Sequence, residues 1–454
     1  MQKLLSIHII ICIISVYHIL EDGKIMFDKV IVQQNPHWQS GGYSNLMQRS
    51  CLPELVKSLP LKEMQILQGI RRSGKSSIFL LLINHLLQSV DTKTIFYANL
   101  DDPFFESLHD DPKLFYELID TAEKLTGTAI EYLFLDEVQN VTGWEKFVKS
   151  IYDANKFKKI WITGSNSSLL NSDYANLLTG RYLSKMIYPL SFNEILLNRK
   201  INDNLTLEQK RPEALRIVDY MLYHGSFPRV YQLIDNEDDL IRQLLLSYYD
   251  GILLKDCLTN KSKMIRNVKL FRELALYLIN NNACSYSYNK LSKLFGGSDI
   301  TYKEFIGVMQ DAYLFKEITH FNYSLKTQVK TNKKIYTIDN GFVWAMSMKL
   351  SKDQGRLLEN LVYTELVKSD IDAIYYAEET GACDFITKTG SELCAYQVCF
   401  HLTPENRQRE FQGLLKTMEK WKIKTGYLIT LQQEEITENH NVFIVPFWKW
   451  ASGF

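Results

Sequence analysis

The chain of 454 residues is 46% hydrophobic and 23% charged, the balance of a folded protein with two to four domains of roughly 150 residues each. Those figures exclude a disordered tail, a collagen-like fibre and a polytopic membrane protein. Lys plus Arg equals Asp plus Glu at 52 each, so a nucleic-acid or membrane partner must be held by a local patch. Seven scattered cysteines without a C-x-x-C pair argue for a reducing compartment, and a cytoplasmic location is expected.

The apolar run at 4–20 reaches only the lower limit for spanning a bilayer, and His8 and His18 interrupt it. No small-x-small cleavage site follows. Met26 then opens ordinary polar sequence, so residues 1–25 are expected to be a mis-called start, with a membrane anchor as the alternative.

The strongest pattern begins at Met64. A buried-strand run, MQILQ, precedes Gly69-Ile-Arg-Arg-Ser-Gly74-Lys75-Ser76, and an apolar helical run follows. This is G-x-x-x-x-G-K-[ST] in its strand–loop–helix context, a phosphate-binding loop. The glycines let backbone N–H groups approach phosphate oxygens at the positive end of the helix. Gly69, Arg72, Ser73, Gly74, Lys75, Ser76 and Ser77 are the expected nucleotide contacts. Lys75 supplies charge to the β and γ phosphates, and the Ser76 hydroxyl is a ligand for Mg²⁺.

The apolar strand at 131–135 ends in Asp136-Glu137. Asp136 is placed to hold Mg²⁺ through water, and Glu137 to polarise an attacking water; the bland alternative is two acids starting a helix. Further strands are expected at 94–100, 159–163 and 181–190, alternating with helices in a doubly wound parallel sheet. Ser165 and Asn166 close one of them beside the γ-phosphate. Arg181 is a candidate charge donor, in cis or from a neighbouring subunit, and a ring or dimer follows if it acts in trans. An ordinary strand-edge arginine is the alternative.

From about Ile31 the whole chain resembles a group of uncharacterised prokaryotic AAA+ ATPases with a C-terminal nuclease-like domain. The matching stretches are GIRRSGKS, FLDEVQN, ITGSNSSLL, LTGR, YHGSFPRV, KIYTIDNGF, GRLLENLVYTEL, CDFI and VPFWKW. The resemblance implies an α/β fold: an AAA+ parallel sheet at 26–200, a helical lid at 201–254, a winged helix at 255–340 and a nuclease-like domain at 341–454. It also implies that Gly225-Ser-Phe-Pro228 lies in a lid near the nucleotide, as a relay or a plain turn.

Residues 255–335 carry 12 Lys and 2 Arg against 6 acids, a net of +8 inside a neutral protein. Helices at 270–280, 288–294 and 301–315 followed by paired strands fit a winged helix, with Lys326, Lys330, Lys333 and Lys334 around its wing. Double-stranded DNA is the expected partner of this segment, and a plain interaction module is the alternative.

The last hundred residues resemble a PD-(D/E)xK nuclease core, which needs acids and a lysine to grip Mg²⁺. Glu359 and Asp384 supply acids, but the acid–x–Lys position reads Gln397-Val398-Cys399. This site is therefore expected to be degenerate and inactive. The reading is an ATPase using ATP and Mg²⁺ to switch its domains; a nuclease-type effector gated by ATP, or a non-hydrolysing scaffold, is the alternative.

Overall fold

The computed structural model describes residues 27–167, 177–259, 265–347, 353–378, 383–436 and 441–453. The segment read as a mis-called start lies outside them. Among the described residues, no helix is long and apolar enough to cross a membrane.

Five strands make the first sheet: β1 (Met64–Gln68), β2 (Ile95–Asn99), β3 (Tyr132–Asp136), β4 (Lys159–Gly164) and β5 (Tyr182–Met186). Their order is β2-β3-β4-β1-β5 and every pairing is parallel. These runs are short and apolar because both faces are covered, as a parallel sheet requires. On one face Phe134 stacks on Trp161 at 4.4 Å beneath Phe79, from the helix Lys75–Leu86. On the other, Phe115 stacks on Phe147 at 4.4 Å. The fold is that of a P-loop AAA+ module, with β4 inserted between the phosphate-loop strand and the Asp-Glu strand.

Helices Arg211–His224 and Asp238–Gly251 follow, and the second runs into a π-helical turn, Ile252–Thr259. Next come helices Val268–Asn280, Tyr288–Phe295 and Asp299–Asp311. Asn267, Ser287 and Ser298 cap these three through side-chain oxygens, which is why each starts where it does.

The second sheet has eight strands: β6 (Cys284–Tyr286), β7 (Phe315–His320), β8 (Lys333–Thr337), β9 (Ala373–Ala377), β10 (Cys383–Thr389), β11 (Glu392–Cys399), β12 (Thr425–Thr430) and β13 (Val442–Pro446). Their order is β13-β12-β11-β10-β9-β7-β8-β6. The sheet therefore crosses the expected boundary at 340: β7 pairs with β9 in parallel, Thr319 opposite Tyr375 and His320 opposite Tyr376. One hydrophobic core likewise runs from the helices Arg211–His224 and Asp238–Gly251, through residues 265–347, to Phe447 and Trp448.

Candidate functional site

The parallel register aligns Gln68 with Gly164 and Asn99 with Asp136, so the phosphate loop, Asp136 and Ser165 share one edge of the sheet. Gly69 leaves β1 at φ +149°, and a Cβ there would lie 2.1 Å from the Ile187 carbonyl oxygen; only glycine fits. Arg72 at φ +72° and Gly74 at +97° curl the chain into the helix that Lys75 begins, with Ser76 and Ser77 in its first turn. The buried Lys75 ammonium donates to the carbonyls of Gly69 (3.0 Å) and Ile70 (3.2 Å) and lies 3.9 Å from Glu137 Oε1. The Ser73 hydroxyl is fully buried in the loop and has no hydrogen-bond partner among the described residues.

Asp136 is buried at the end of β3. The Tyr97 hydroxyl donates to its Oδ2 at 2.8 Å, and the hydroxyls of Thr163 and Ser76 also bond it. Burial raises the Asp136 pKa, and the adjacent Glu137 charge raises it further. A divalent cation would relieve both, and a hydroxyl beside a carboxylate is a hard oxygen donor pair. Ser76 and Asp136 thus fit Mg²⁺.

Glu137 turns out of the strand at φ +56°, held by its own N–H donating to Thr163 Oγ1 at 2.9 Å. Burial opposes its charge, but Lys75 and Arg71 together hold its carboxyl below the usual glutamate range. It is ionised at neutral pH. The Gln139 amide donates to Glu137 Oε2 at 2.5 Å and to Ser165 Oγ at 3.3 Å, tying the acid to the end of β4.

Of the expected site residues, Arg181 is the one the structure removes from the chemistry in cis. Strand direction decides it. Arg181 lies at the start of β5, where its carbonyl accepts from Met64 N–H, and its guanidinium pairs with Asp153 at 2.9 Å. The phosphate loop follows the opposite end of β1, a five-residue strand or roughly 15 Å away.

Four partners escaped the sequence reading. Tyr97 and Thr163 hold Asp136, and Arg49 donates to the Ser73 carbonyl at 2.8 Å while paired with buried Glu194 at 3.0 Å. Asp256, on the π-helical turn, accepts from Arg71, while Ser165 and Asn166 both donate to it. Thr163 stands in the ITGSNSSLL stretch but was given no role there; Tyr97, Arg49 and Asp256 stand in no motif, and only the fold brings them to the site. Pro228 lies beside the loop, 3.5 Å from the point a Cβ on Gly74 would occupy. The Ser226 N–H donates to buried Asp339 at 2.7 Å, so the Gly225–Pro228 turn joins the phosphate loop to the end of β8.

A second acidic cluster lies in the eight-stranded sheet. Lys334, expected on the wing, is largely covered, its side chain 11% exposed: it donates to Glu359 at 2.7 Å and to Asp384 at 3.3 Å, and the Tyr336 hydroxyl donates to Glu359 at 2.6 Å. Side chains alternate along β8, so Lys334 and Tyr336 share the face that meets Glu359. Gln397 donates instead to Glu410 at 2.7 Å, and the Cys399 thiol to the His401 carbonyl. A cavity of 490 Å³ opens between Glu359, Asp384, Gln397 and Glu410.

The family model described as "AAA domain" matches residues 61–196, and a domain of unknown function, DUF8612, matches residues 215–353. The chain is 30% identical over 448 residues to Uncharacterized protein MJ1544 of Methanocaldococcus jannaschii, covering 95% of this chain and 96% of that protein. It is 28% identical over 407 residues to an uncharacterized protein of Haemophilus influenzae, covering 88% and 96% respectively. Among solved structures, the Aeropyrum pernix Orc1 protein in complex with DNA is similar at 11% identity. It covers 68% of this chain and 94% of that one, with a TM-score of 0.33.

Proposed function

Because the chain belongs to a family of archaeal and bacterial AAA+ ATPases, we propose that it hydrolyses ATP to switch the arrangement of the units that follow its sheet. The observation that carries this reading is Glu137. It is ionised, 3.9 Å from Lys75, and held by Gln139 against Ser165. An acid merely starting a helix would need neither contact. Lys75 and the loop amides bind phosphate oxygens, and Ser73 offers its unpaired hydroxyl. Glu137 orients a water and takes its proton. Mg²⁺, held by Ser76 and Asp136, would neutralise phosphate charge.

The lid, the helices at 265–311 and β7–β8 are read as a lid and winged helix that respond to the nucleotide. Lys290, Lys293, Lys303, Lys326 and Lys330 are exposed, which supports duplex DNA as their partner. A second reading, a nuclease gated by ATP, gains from Lys334: it supplies beside Glu359 and Asp384 the ammonium that Cys399 cannot. Against it, no carboxylate stands at Gln397.

The test is steady-state ATP hydrolysis by wild type and Glu137→Gln, with and without duplex DNA. Turnover is expected to fall at least 100-fold in the variant while ATP still binds. Binding without turnover in the wild type would make the protein a scaffold. Incubating the same DNA with Mg²⁺ decides the second reading: cleavage lost in Asp384→Ala would support it, and intact DNA would end it.

A further inference from the structure

Asp256 has no part in the chemistry just described, yet its surroundings are those of a phosphate. Its side chain is 1% exposed. Its Oδ1 accepts from Ser165 Oγ at 2.7 Å and Arg71 Nη2 at 3.1 Å; its Oδ2 accepts from Arg71 Nε at 3.1 Å. Its carbonyl accepts from Asn166 Nδ2 at 3.0 Å. Arg71 belongs to the phosphate loop, and Ser165 and Asn166 end the strand beside it. These are the donors that would meet the terminal phosphate of a bound triphosphate. The Asp256 carboxylate now holds Arg71 and Ser165, and its backbone carbonyl holds Asn166.

The element bearing this acid suits a movable part. Asp256 lies on the π-helical turn Ile252–Thr259, where each turn carries one residue more than an α-helix needs. Its neighbour Lys255 makes an exposed 3.4 Å pair with Asp101, and Arg71 has Asp101 as a second acid at 3.8 Å. Ser165 is also the residue that Gln139 joins to Glu137. One carboxylate is thus linked to the phosphate loop, to the strand end and, through Gln139, to the hydrolytic acid.

We propose that Asp256 is a γ-phosphate competitor: its carboxylate occupies Arg71 and Ser165, and its backbone carbonyl Asn166, until ATP displaces it, so that the lid distinguishes ATP from ADP. The proposal rests on the ATPase reading. Once Arg71 and Ser165 turn to phosphate, Asp256 is left as an unpaired buried acid, which is strongly unfavourable, and the turn carrying it leaves the site. ADP has no γ-phosphate and does not compete. A competitor that must first be displaced lowers ATP affinity by the fraction of open molecules, and removing it restores that affinity.

Wild type, Asp256→Asn and Asp256→Ala are titrated calorimetrically with ATPγS and with ADP in Mg²⁺, and assayed for ATP hydrolysis. ATPγS affinity is expected to rise about fivefold or more in both variants, and ADP affinity to change less than twofold. Asp256→Asn keeps an acceptor for Ser165 while losing the charge, so it carries the test if Asp256→Ala fails to fold. Equal changes for the two nucleotides, or none, in a protein whose wild type hydrolyses ATP would overturn the competition and leave the ATPase reading intact. A wild type that binds neither nucleotide overturns both.

Discussion

Asp339 shows how one buried acid links a stability property to the turn beside the phosphate loop. It is wholly buried at the end of β8, where the N–H groups of Ser226 and Gly341 donate to it. Burial raises its pKa to about 6 against those hydrogen bonds, which favour the charged form. A carboxyl whose folded pKa is raised contributes stability fully below its unfolded value near 4. That contribution is lost as pH rises through about 6. Urea unfolding midpoints should therefore fall between pH 4 and pH 6.5, and this part of the slope should flatten in Asp339→Asn. An identical slope in the variant would remove Asp339 as its cause. Gly225 belongs to the same contact: at φ +80° its absent side chain leaves room for Asp339 Oδ1, 1.6 Å from where a Cβ would stand.

Among the elements, the short helix Leu325–Lys330 between β7 and β8 carries the clearest surface test. It has no buried residue, and Leu325 and Val329 are each 75% exposed, beside exposed Lys326 and Lys330. If duplex DNA binds here, Lys326→Glu with Lys330→Glu should weaken binding equally for unrelated sequences. The salt dependence of log K should become shallower by about 2, near 0.9 per lost phosphate contact. An unchanged slope would move the DNA contact elsewhere or dismiss it. This helix also marks a limit of sequence reading. With nothing buried it has no apolar period, so the stretch read as a plain wing. The three preceding helices were legible from their apolar spacing, although the third, expected over 301–315, ends at Asp311. The phosphate loop and Asp136-Glu137 were legible because their chemistry is contiguous. Asp256 was not, since its partners lie 91 and 185 residues away. Lys334 was misplaced because strand face is settled by pairing, which one strand alone does not reveal, and for Arg181 the pairing leaves the strand-edge alternative or a role in trans.

At the scale of the whole molecule, the two sheets differ in independence. The parallel sheet closes two cores of its own, whereas the eight-stranded sheet joins segments that the sequence had divided at 340. A chain ending at residue 340 would lose β9 from the edge of β7, and with it the helix Gln354–Leu366, whose Leu358, Val362 and Tyr363 are buried in the common core. Such a chain is expected to aggregate or to lack a cooperative thermal transition, as judged by gel filtration and circular dichroism. A monomer with a sharp transition would contradict the shared sheet.

The β7–β9 pairing also restricts how this chain can have changed over its descent. A tail fastened only by a linker can be exchanged by recombination without regard to sequence on the other side. Here a replacement must bring a strand running parallel to β7, with two backbone positions to meet Thr319 and His320. The segments on either side of residue 340 are thereby coupled by hydrogen-bond register.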